Sequence, residues 1–180
     1  MRSKLEPIRR SIVVSCSVEQ AFRVFTEGMS TWWPLDTHSR AVDEGLEEVT
    51  AVGVEVEPRA GGRILERLSN GERISWGEVL VWEPPSRLAI GWKPNRKPQP
   101  PTELELSFRH EGPGTRVTLE HRGWERLGEG AVKVRDGYVE GWPKLFDGLF
   151  GRAADQTVRS APDGYPRPPT RSASTKGNRA

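Results

Sequence analysis

The chain has 180 residues, a formal net charge of +2 and a single cysteine, Cys16. This length favours one domain with a substantial core. No segment approaches the roughly 18 apolar residues of a membrane span, and no apolar stretch follows the N-terminal charges as in a signal peptide. Because Cys16 has no partner for an internal disulfide, we expect a cytoplasmic protein that does not cross a membrane.

The charge is distributed unevenly along the chain. Residues 155–180 carry five basic and two acidic side chains, a balance of +3, which leaves −1 on residues 1–154. A nucleic-acid-binding domain concentrates basic residues on its folded part. Nucleic acid is therefore not an expected partner.

The first predicted elements are a strand and a capped helix. A β-branched run within residues 8–15 indicates a strand. Ser17 and Gln20 then have the spacing of a capping box. The helix that follows has apolar residues at helical spacing and ends near Gly28. Trp32-Trp33-Pro34 opens a loop or a short second helix.

Six further strands are predicted from the alternation of apolar and polar residues between positions 52 and 121. Asn70-Gly71 is a hairpin signal, and Pro84-Pro85 marks a break. The strand positions are Val52, Val54 and Val56; Ile64 to Leu68; Ile74 to Trp82; Leu88, Ile90 and Trp92; Leu104, Leu106 and Phe108; Val117, Leu119 and His121.

A long helix is predicted from about Val132 to Ala154, with Pro143 kinking or restarting it. After this helix apolar residues nearly vanish. We therefore assign residues 1–154 to the domain and residues 155–180 to a disordered basic tail. The apolar stripe of the helix comprises Tyr138, Trp142, Leu145 and Leu149.

This order of elements predicts an α+β fold in which a curved seven-stranded antiparallel sheet wraps around the long C-terminal helix. A sheet of this size must cover its apolar face, and the last helix is the one predicted element long enough to do so. A space between the sheet and the helix is a candidate pocket for a small apolar or aromatic molecule.

Several motifs spread over residues 8–152 resemble the SRPBCC superfamily, and within it the branch named for the activator of heat-shock protein 90 ATPase (AHSA-like). The resemblance implies the helix-grip fold of the START and birch-pollen-allergen proteins. The motifs are Thr31-Trp-Trp-Pro-Leu-Asp-Thr-His-Ser39, Glu57-Pro-Arg-Ala-Gly-Gly-Arg63, Trp76-Gly-Glu-Val-Leu-Val-Trp-Glu-Pro-Pro85, Arg87-Leu88 leading to Trp92, Thr115-Arg-Val-Thr-Leu-Glu-His121 and Gly141-Trp-Pro143.

The resemblance leaves the function open, because its members include lipid binders and cyclases, and a fold does not define a function. Co-chaperone members carry a separate N-terminal domain that binds the chaperone. The 180 residues leave no room for such a domain, so a chaperone partner is not favoured.

Two polar residues are predicted to face the pocket. Glu66 shares a strand face with Ile64 and Leu68. It is either a hydrogen-bonding or acid–base group for a ligand, or a rim residue paired with an arginine of another strand. His121 lies on the apolar face of the last strand. It either orients a ligand or moves a proton, or it is a strand-end histidine bonded to backbone.

His38 lies in a polar loop that resembles the family's loop over the cavity mouth, and it is either a site residue or an ordinary loop residue. Trp82 and Trp92 are expected in the core. Trp124 follows the last strand in a charged stretch and is expected to be exposed. Other aromatic residues are candidates for the pocket wall, with plain core packing as the alternative: Trp32, Trp33, Trp76, Tyr138 and Trp142.

No metal or cofactor is expected. His38, His121 and a carboxylate lack the paired spacing of metal ligands, and neither a phosphate-binding loop nor a nucleophile elbow is present. Three functions stay open: a binding protein for a small apolar or aromatic molecule, which we favour; a cyclase- or hydrolase-type enzyme using Glu66 and His121; and a co-chaperone-like interaction module. The sequence does not name catalytic residues.

Overall fold

The computed structural model describes residues 5–93 and 99–159. Its strands form one curled antiparallel sheet in the order β1-β7-β6-β5-β4-β3-β2, which confirms the predicted seven strands. The strands are β1 (Ile8–Val14), β2 (Ala51–Val56), β3 (Arg63–Leu68), β4 (Arg73–Glu83), β5 (Arg87–Trp92), β6 (Thr102–Glu111) and β7 (Gly114–Arg122).

Three helices connect β1 to β2: α1 (Val18–Phe25), α2 (Met29–Trp32) and α3 (Arg40–Asp43). The predicted capping box begins α1, since the Ser17 and Gln20 side chains each accept from the other residue's backbone N–H. The helix α3 was not predicted, because four residues are too few to show a helical period. The Ser39 hydroxyl caps its first turn by accepting from the Val42 N–H at 3.2 Å.

The C-terminal helix has three consecutive parts: α4 (Ala131–Trp142), a π-helical segment (Pro143–Phe150) and α5 (Gly151–Arg159). The helix does not end at Pro143, but its hydrogen bonding changes there from the α to the π pattern. Proline has no amide proton to donate, and the wider i→i+5 hydrogen bonding of a π segment begins at this residue.

The predicted boundary between domain and tail is wrong, because α5 continues the helix beyond residue 154. The Asp155 carboxylate accepts a hydrogen bond from the Ser15 N–H at 2.7 Å and so ties the helix to the end of β1. The low hydrophobicity after Ala154 concealed this part of the helix. Residues 160–180 lie outside the described residues.

The core lies between the concave face of the sheet and the layer formed by α1 and the C-terminal helix. Phe22 and Phe25 of α1 contact the Phe108 ring of β6, and Phe25 also contacts Phe150 of the C-terminal helix. Within residues 5–93 and 99–159, no helix is long and apolar enough to span a bilayer.

Candidate functional site

A recess of about 360 Å³ opens between α4, the segment from Trp33 to α3, and the inner face of β4 and β5. Polar side chains lie on the α3 side, and they include His38, Arg40 and Asp43. The aromatic walls are formed by Trp33, Trp76, Trp92 and Tyr138.

Three indole rings form one continuous wall of the recess. The ring centroids of Trp33 and Trp76 are 5.4 Å apart, those of Trp33 and Trp92 are 5.7 Å apart, and those of Trp76 and Trp92 are 5.9 Å apart. The Trp33 indole N–H donates to the backbone oxygen of His38 at 2.7 Å. Trp92 was expected to be core only. Trp92 is the last residue of β5, and this position at the end of a strand was the sequence signal that it could also line the recess.

Glu66 lies behind this wall and is fully buried. Its carboxylate accepts from the backbone N–H groups of Arg40 (2.8 Å) and Ala41 (3.2 Å) and from the Trp76 indole N–H (2.7 Å). The predicted inward orientation is observed, but Glu66 does not line the recess. Within residues 5–93 and 99–159, no arginine side chain is paired with it. Glu66 therefore holds α3 and the Trp76 ring in position.

His121 is fully buried on β7 and lies between polar side chains rather than against backbone. Its Nδ1 accepts from the Trp142 indole N–H at 3.2 Å, and its Nε2 is 2.8 Å from the Thr102 hydroxyl. Because an indole nitrogen can only donate, Nδ1 is unprotonated and Nε2–H donates to Thr102. Burial lowers the pKa of His121 to about 3, so the ring is neutral. With both nitrogens engaged, His121 has none free for proton transfer to a ligand.

The residues around His121 form a histidine cluster, defined here as Thr102, His121, Trp124 and Trp142. The Trp124 ring lies 4.1 Å from the His121 ring, and its indole donates to the His121 backbone oxygen at 3.0 Å. The predicted exposure of Trp124 is wrong, because this side chain is fully buried. Gly123 has a φ of 85°, which turns the chain back after β7 and carries Trp124 under the helix.

Tyr138 lies between the histidine cluster and the recess. Its ring is 4.7 Å from that of His121, and it also lines the recess. Its hydroxyl oxygen accepts from the Trp92 indole N–H at 2.9 Å. Burial raises the pKa of Tyr138 to about 12, so the phenol keeps its proton at neutral pH.

The remaining two candidates lie in different environments. His38 is exposed at the mouth of the recess, with its Nδ1 2.9 Å from the Thr37 hydroxyl. Trp32 is a core residue whose indole donates to the Val24 backbone oxygen at 2.8 Å. The structure thus brings four predicted residues to the recess and places the other four behind its walls. The lining residues are Trp33, His38, Trp76 and Tyr138; the others are Trp32, Glu66, His121 and Trp142.

Metal ligands are not grouped in the part of the chain that the structure describes. No set of three or more histidine, cysteine, aspartate or glutamate side chains is arranged there to hold a metal ion. Cys16 is buried as a free thiol, and burial raises its pKa. The side chains that line the recess carry aromatic, hydroxyl, imidazole, guanidinium and carboxylate groups.

Residues 15–152 match the family described as activator of Hsp90 ATPase homolog 1-like protein. The chain belongs to this family. The AHSA-like branch and the helix-grip fold predicted from the sequence motifs are therefore confirmed. Among curated proteins, the search finds no match.

Solved structures of similar proteins share this AHSA1-like fold. An anthrahydroquino-gamma-pyrone synthase, Txn09, is 33% identical with a TM-score of 0.54, and the match covers 85% of this chain and 99% of that chain. The self-sacrificing resistance protein CalC from Micromonospora echinospora is 28% identical with a TM-score of 0.59, covering 84% and 95%. An AHSA1-like protein from Aeromonas hydrophila, 15% identical with a TM-score of 0.59, covers 89% and 99% and shows the fold alone.

Proposed function

We propose that this AHSA1-like protein is a cytoplasmic binding protein for a small, flat aromatic molecule, which it holds in the recess beside α4. The observation that carries the proposal is the wall of three mutually contacting indoles, which the Tyr138 phenol extends. Aromatic walls with a few polar groups are typical of small-molecule sites, and about 360 Å³ falls within their usual size.

The similarity to Txn09 supports a polycyclic aromatic ligand. That protein is named as the synthase of an anthrahydroquino-gamma-pyrone, and its match covers nearly all of its own chain at 33% identity. Flat fused rings pack well against indole faces and edges, because aromatic pairs gain energy beyond the apolar area that they bury. The aromatic lining of the recess and the name of the similar protein therefore support the same ligand class.

A cyclase-type enzyme is the second candidate, and the name of the same similar protein favours it. Such chemistry would not use Glu66 and His121 as its acid–base pair, because both side chains are engaged behind the walls. It would depend on the polar groups of the recess itself, namely His38, Asp43 and Tyr138. Binding is the primary proposal because it requires only the recess.

Titration with anthracene-2-sulfonate tests the binding proposal. We expect quenching of tryptophan fluorescence and a higher melting temperature, since a ligand at about 100 times its Kd adds roughly 2.7 kcal/mol to the stability of the native state. Trp33→Ala should weaken binding. Trp82→Ala is the matched control, because Trp82 packs on Phe22 with a centroid distance of 5.1 Å and does not line the recess.

Two results would contradict the proposal: no quenching and no thermal shift with the intact protein, or equal affinities of the Trp33→Ala variant and the wild type. A molecule that co-purifies with the protein and is identified by mass spectrometry would name the natural ligand.

A further inference from the structure

The hydrogen-bond donors of the aromatic wall are almost all used within the protein. The indole N–H of Trp33 donates to the His38 backbone oxygen, that of Trp76 to Glu66, and that of Trp92 to the Tyr138 hydroxyl. A ligand that lies against these indoles meets their ring surfaces and finds no free N–H. The three tryptophans therefore select for shape and apolar character.

The Tyr138 hydroxyl is the exception. A phenol carries one proton, and its oxygen accepts from the Trp92 indole N–H, which can only donate. Among the described residues, no acceptor bonds the Tyr138 O–H. The hydroxyl thus has a donor to spare, and the raised pKa of about 12 keeps that proton in place across the neutral range.

Tyr138 lines two spaces. The first is the recess of about 360 Å³. The second is a crevice of about 20 Å³, lined in part by Trp92 and Val134. A space of that size holds about one water molecule. An organic ligand that offers an acceptor to Tyr138 must therefore occupy the recess.

The position of the phenol is fixed by its neighbours. Besides the His121 ring, the rings of Trp124 and Trp142 contact Tyr138, with centroid distances of 5.4 and 5.9 Å. Together with the bond from Trp92, these contacts hold the hydroxyl in one place. A donor that is held in place before binding loses little conformational freedom when it binds.

We propose that Tyr138 is the specificity-determining donor of the recess, and that it selects flat aromatic ligands with an acceptor oxygen on the ring edge, such as quinones and aromatic ketones, over hydrocarbons of the same shape. This inference rests on the proposed function. It assigns the polar part of recognition to one hydroxyl and leaves the apolar part to the indoles.

The test compares two probes that differ in their ring carbonyls, anthraquinone-2-sulfonate and anthracene-2-sulfonate, on the full chain. The wild type should bind the quinone about 3- to 10-fold more tightly, the range of one hydrogen bond. Tyr138→Phe should weaken binding of the quinone more than binding of anthracene-2-sulfonate, so the preference for the quinone should fall. The matched control is Tyr165→Phe, which changes the second of the two tyrosines, outside the described residues, and should keep the preference.

Isotope-edited infrared spectroscopy gives a readout that a purely structural role would not move. With a ¹³C-labelled quinone carbonyl, binding to the wild type should lower the C=O stretching frequency, and binding to Tyr138→Phe should lower it less, since only the Trp92 indole N–H is then left to donate. If that variant fails to fold, the shift in the wild-type spectrum still decides whether the carbonyl is hydrogen-bonded.

Each outcome has a distinct meaning. If both probes bind equally well, or if Tyr138→Phe keeps the quinone preference, the role of Tyr138 is overturned while the proposed function stands. If neither probe binds to the wild type, the proposed function is overturned and this inference with it.

Discussion

Glu66 on β3 and His121 on β7 are both fully buried, yet they lie in regions of opposite chemistry. Glu66 is a carboxylate surrounded by donors, two from the backbone at the start of α3 and one from an indole. His121 is neutral and lies among aromatic rings, with one nitrogen accepting and the other donating. The Glu66 region fixes the position of α3 at the mouth of the recess, and the His121 region fixes the C-terminal helix against the sheet.

The comparison shows that burial of a polar side chain does not by itself indicate a ligand site. In both regions the protein supplies partners for the polar atoms, so neither residue has a donor or acceptor to offer. Tyr138, which touches the second region and lines the recess, has one to spare. A free donor or acceptor in a recess is the more informative feature, because unsatisfied polar groups next to apolar walls are costly.

The largest effects are expected from removing aromatic side chains of the histidine cluster. Trp142→Ala and Trp124→Ala should each lower the free energy of unfolding by about 3–5 kcal/mol, because both side chains are fully buried. Chemical denaturation measures the loss, with the half-buried Trp82→Ala as the milder control. A loss below about 1 kcal/mol for Trp124→Ala would place that side chain at the surface.

A smaller loss is expected at the acidic anchor. Glu66→Ala should cost about 3 kcal/mol, because it deprives three buried donors of their acceptor. It should also weaken probe binding, since α3 and Trp76 would no longer be held. Glu78→Ala, at an exposed position on β4, should change stability by less than about 0.5 kcal/mol. Equal stabilities of the two variants would refute the anchoring role of Glu66.

The histidine cluster should also make the fold acid-sensitive. Burial lowers the pKa of His121 from 6.5 to about 3, so between these values the folded state binds fewer protons than the unfolded state. The contribution of His121 to the free energy of unfolding is therefore complete above pH 6.5 and decreases as the pH falls. From about pH 7 to about pH 5 the loss due to His121 should be roughly 2 kcal/mol.

Denaturation curves at the two pH values measure this loss. His121→Gln should remove it, although the variant is less stable at both values. His110→Gln, at an exposed position of β6, should keep it. If NMR shows that His121 becomes protonated near neutral pH, its ring is accessible to water and the prediction is wrong.

The smallest expected effect is a raised pKa of the Tyr138 phenol. In a Tyr165→Phe background, Tyr138 is the sole tyrosine, and its tyrosinate absorbance should appear near pH 12 in the folded protein and near pH 10 in denaturant. Because the folded pKa is raised, the associated stabilisation is present at neutral pH and is lost as the pH rises through about 12. A folded midpoint near the ordinary value would mean that the phenol is solvated.

Strand alternation and helical periodicity were sufficient to predict the sheet and the C-terminal helix. Both come from burial of one face, which leaves a periodic trace in the sequence. The same alternation correctly oriented Glu66 and His121 inward. Alternation did not predict the exposure of every residue. Val52 alternates with Val54 and Val56, but it is half exposed, and the strand register shifts between Ala51 and Gly53.

The partners of these residues could not be predicted, because they come from segments without periodicity. Glu66 binds backbone N–H groups of α3, a four-residue helix in a polar loop whose sole sequence signal is the cap Ser39. Trp124 is surrounded in sequence by charged residues, and its burial depends on the turn at Gly123. Such contacts depend on tertiary geometry rather than on local composition.

The π-helical segment also determines which residues of the C-terminal helix can face the sheet. Tyr138, Trp142, Phe146, Phe150 and Ala154 recur every four residues, and the last four are buried. In an α-helix each step of four residues advances about 40° around the axis, so this row would rotate by roughly 160° from end to end. The wider turns of residues 143–150 counteract that rotation. Aromatic residues next to the recess and apolar residues next to β1 can therefore lie along one line, and a single-residue deletion in the segment would turn one half of the row away from the sheet.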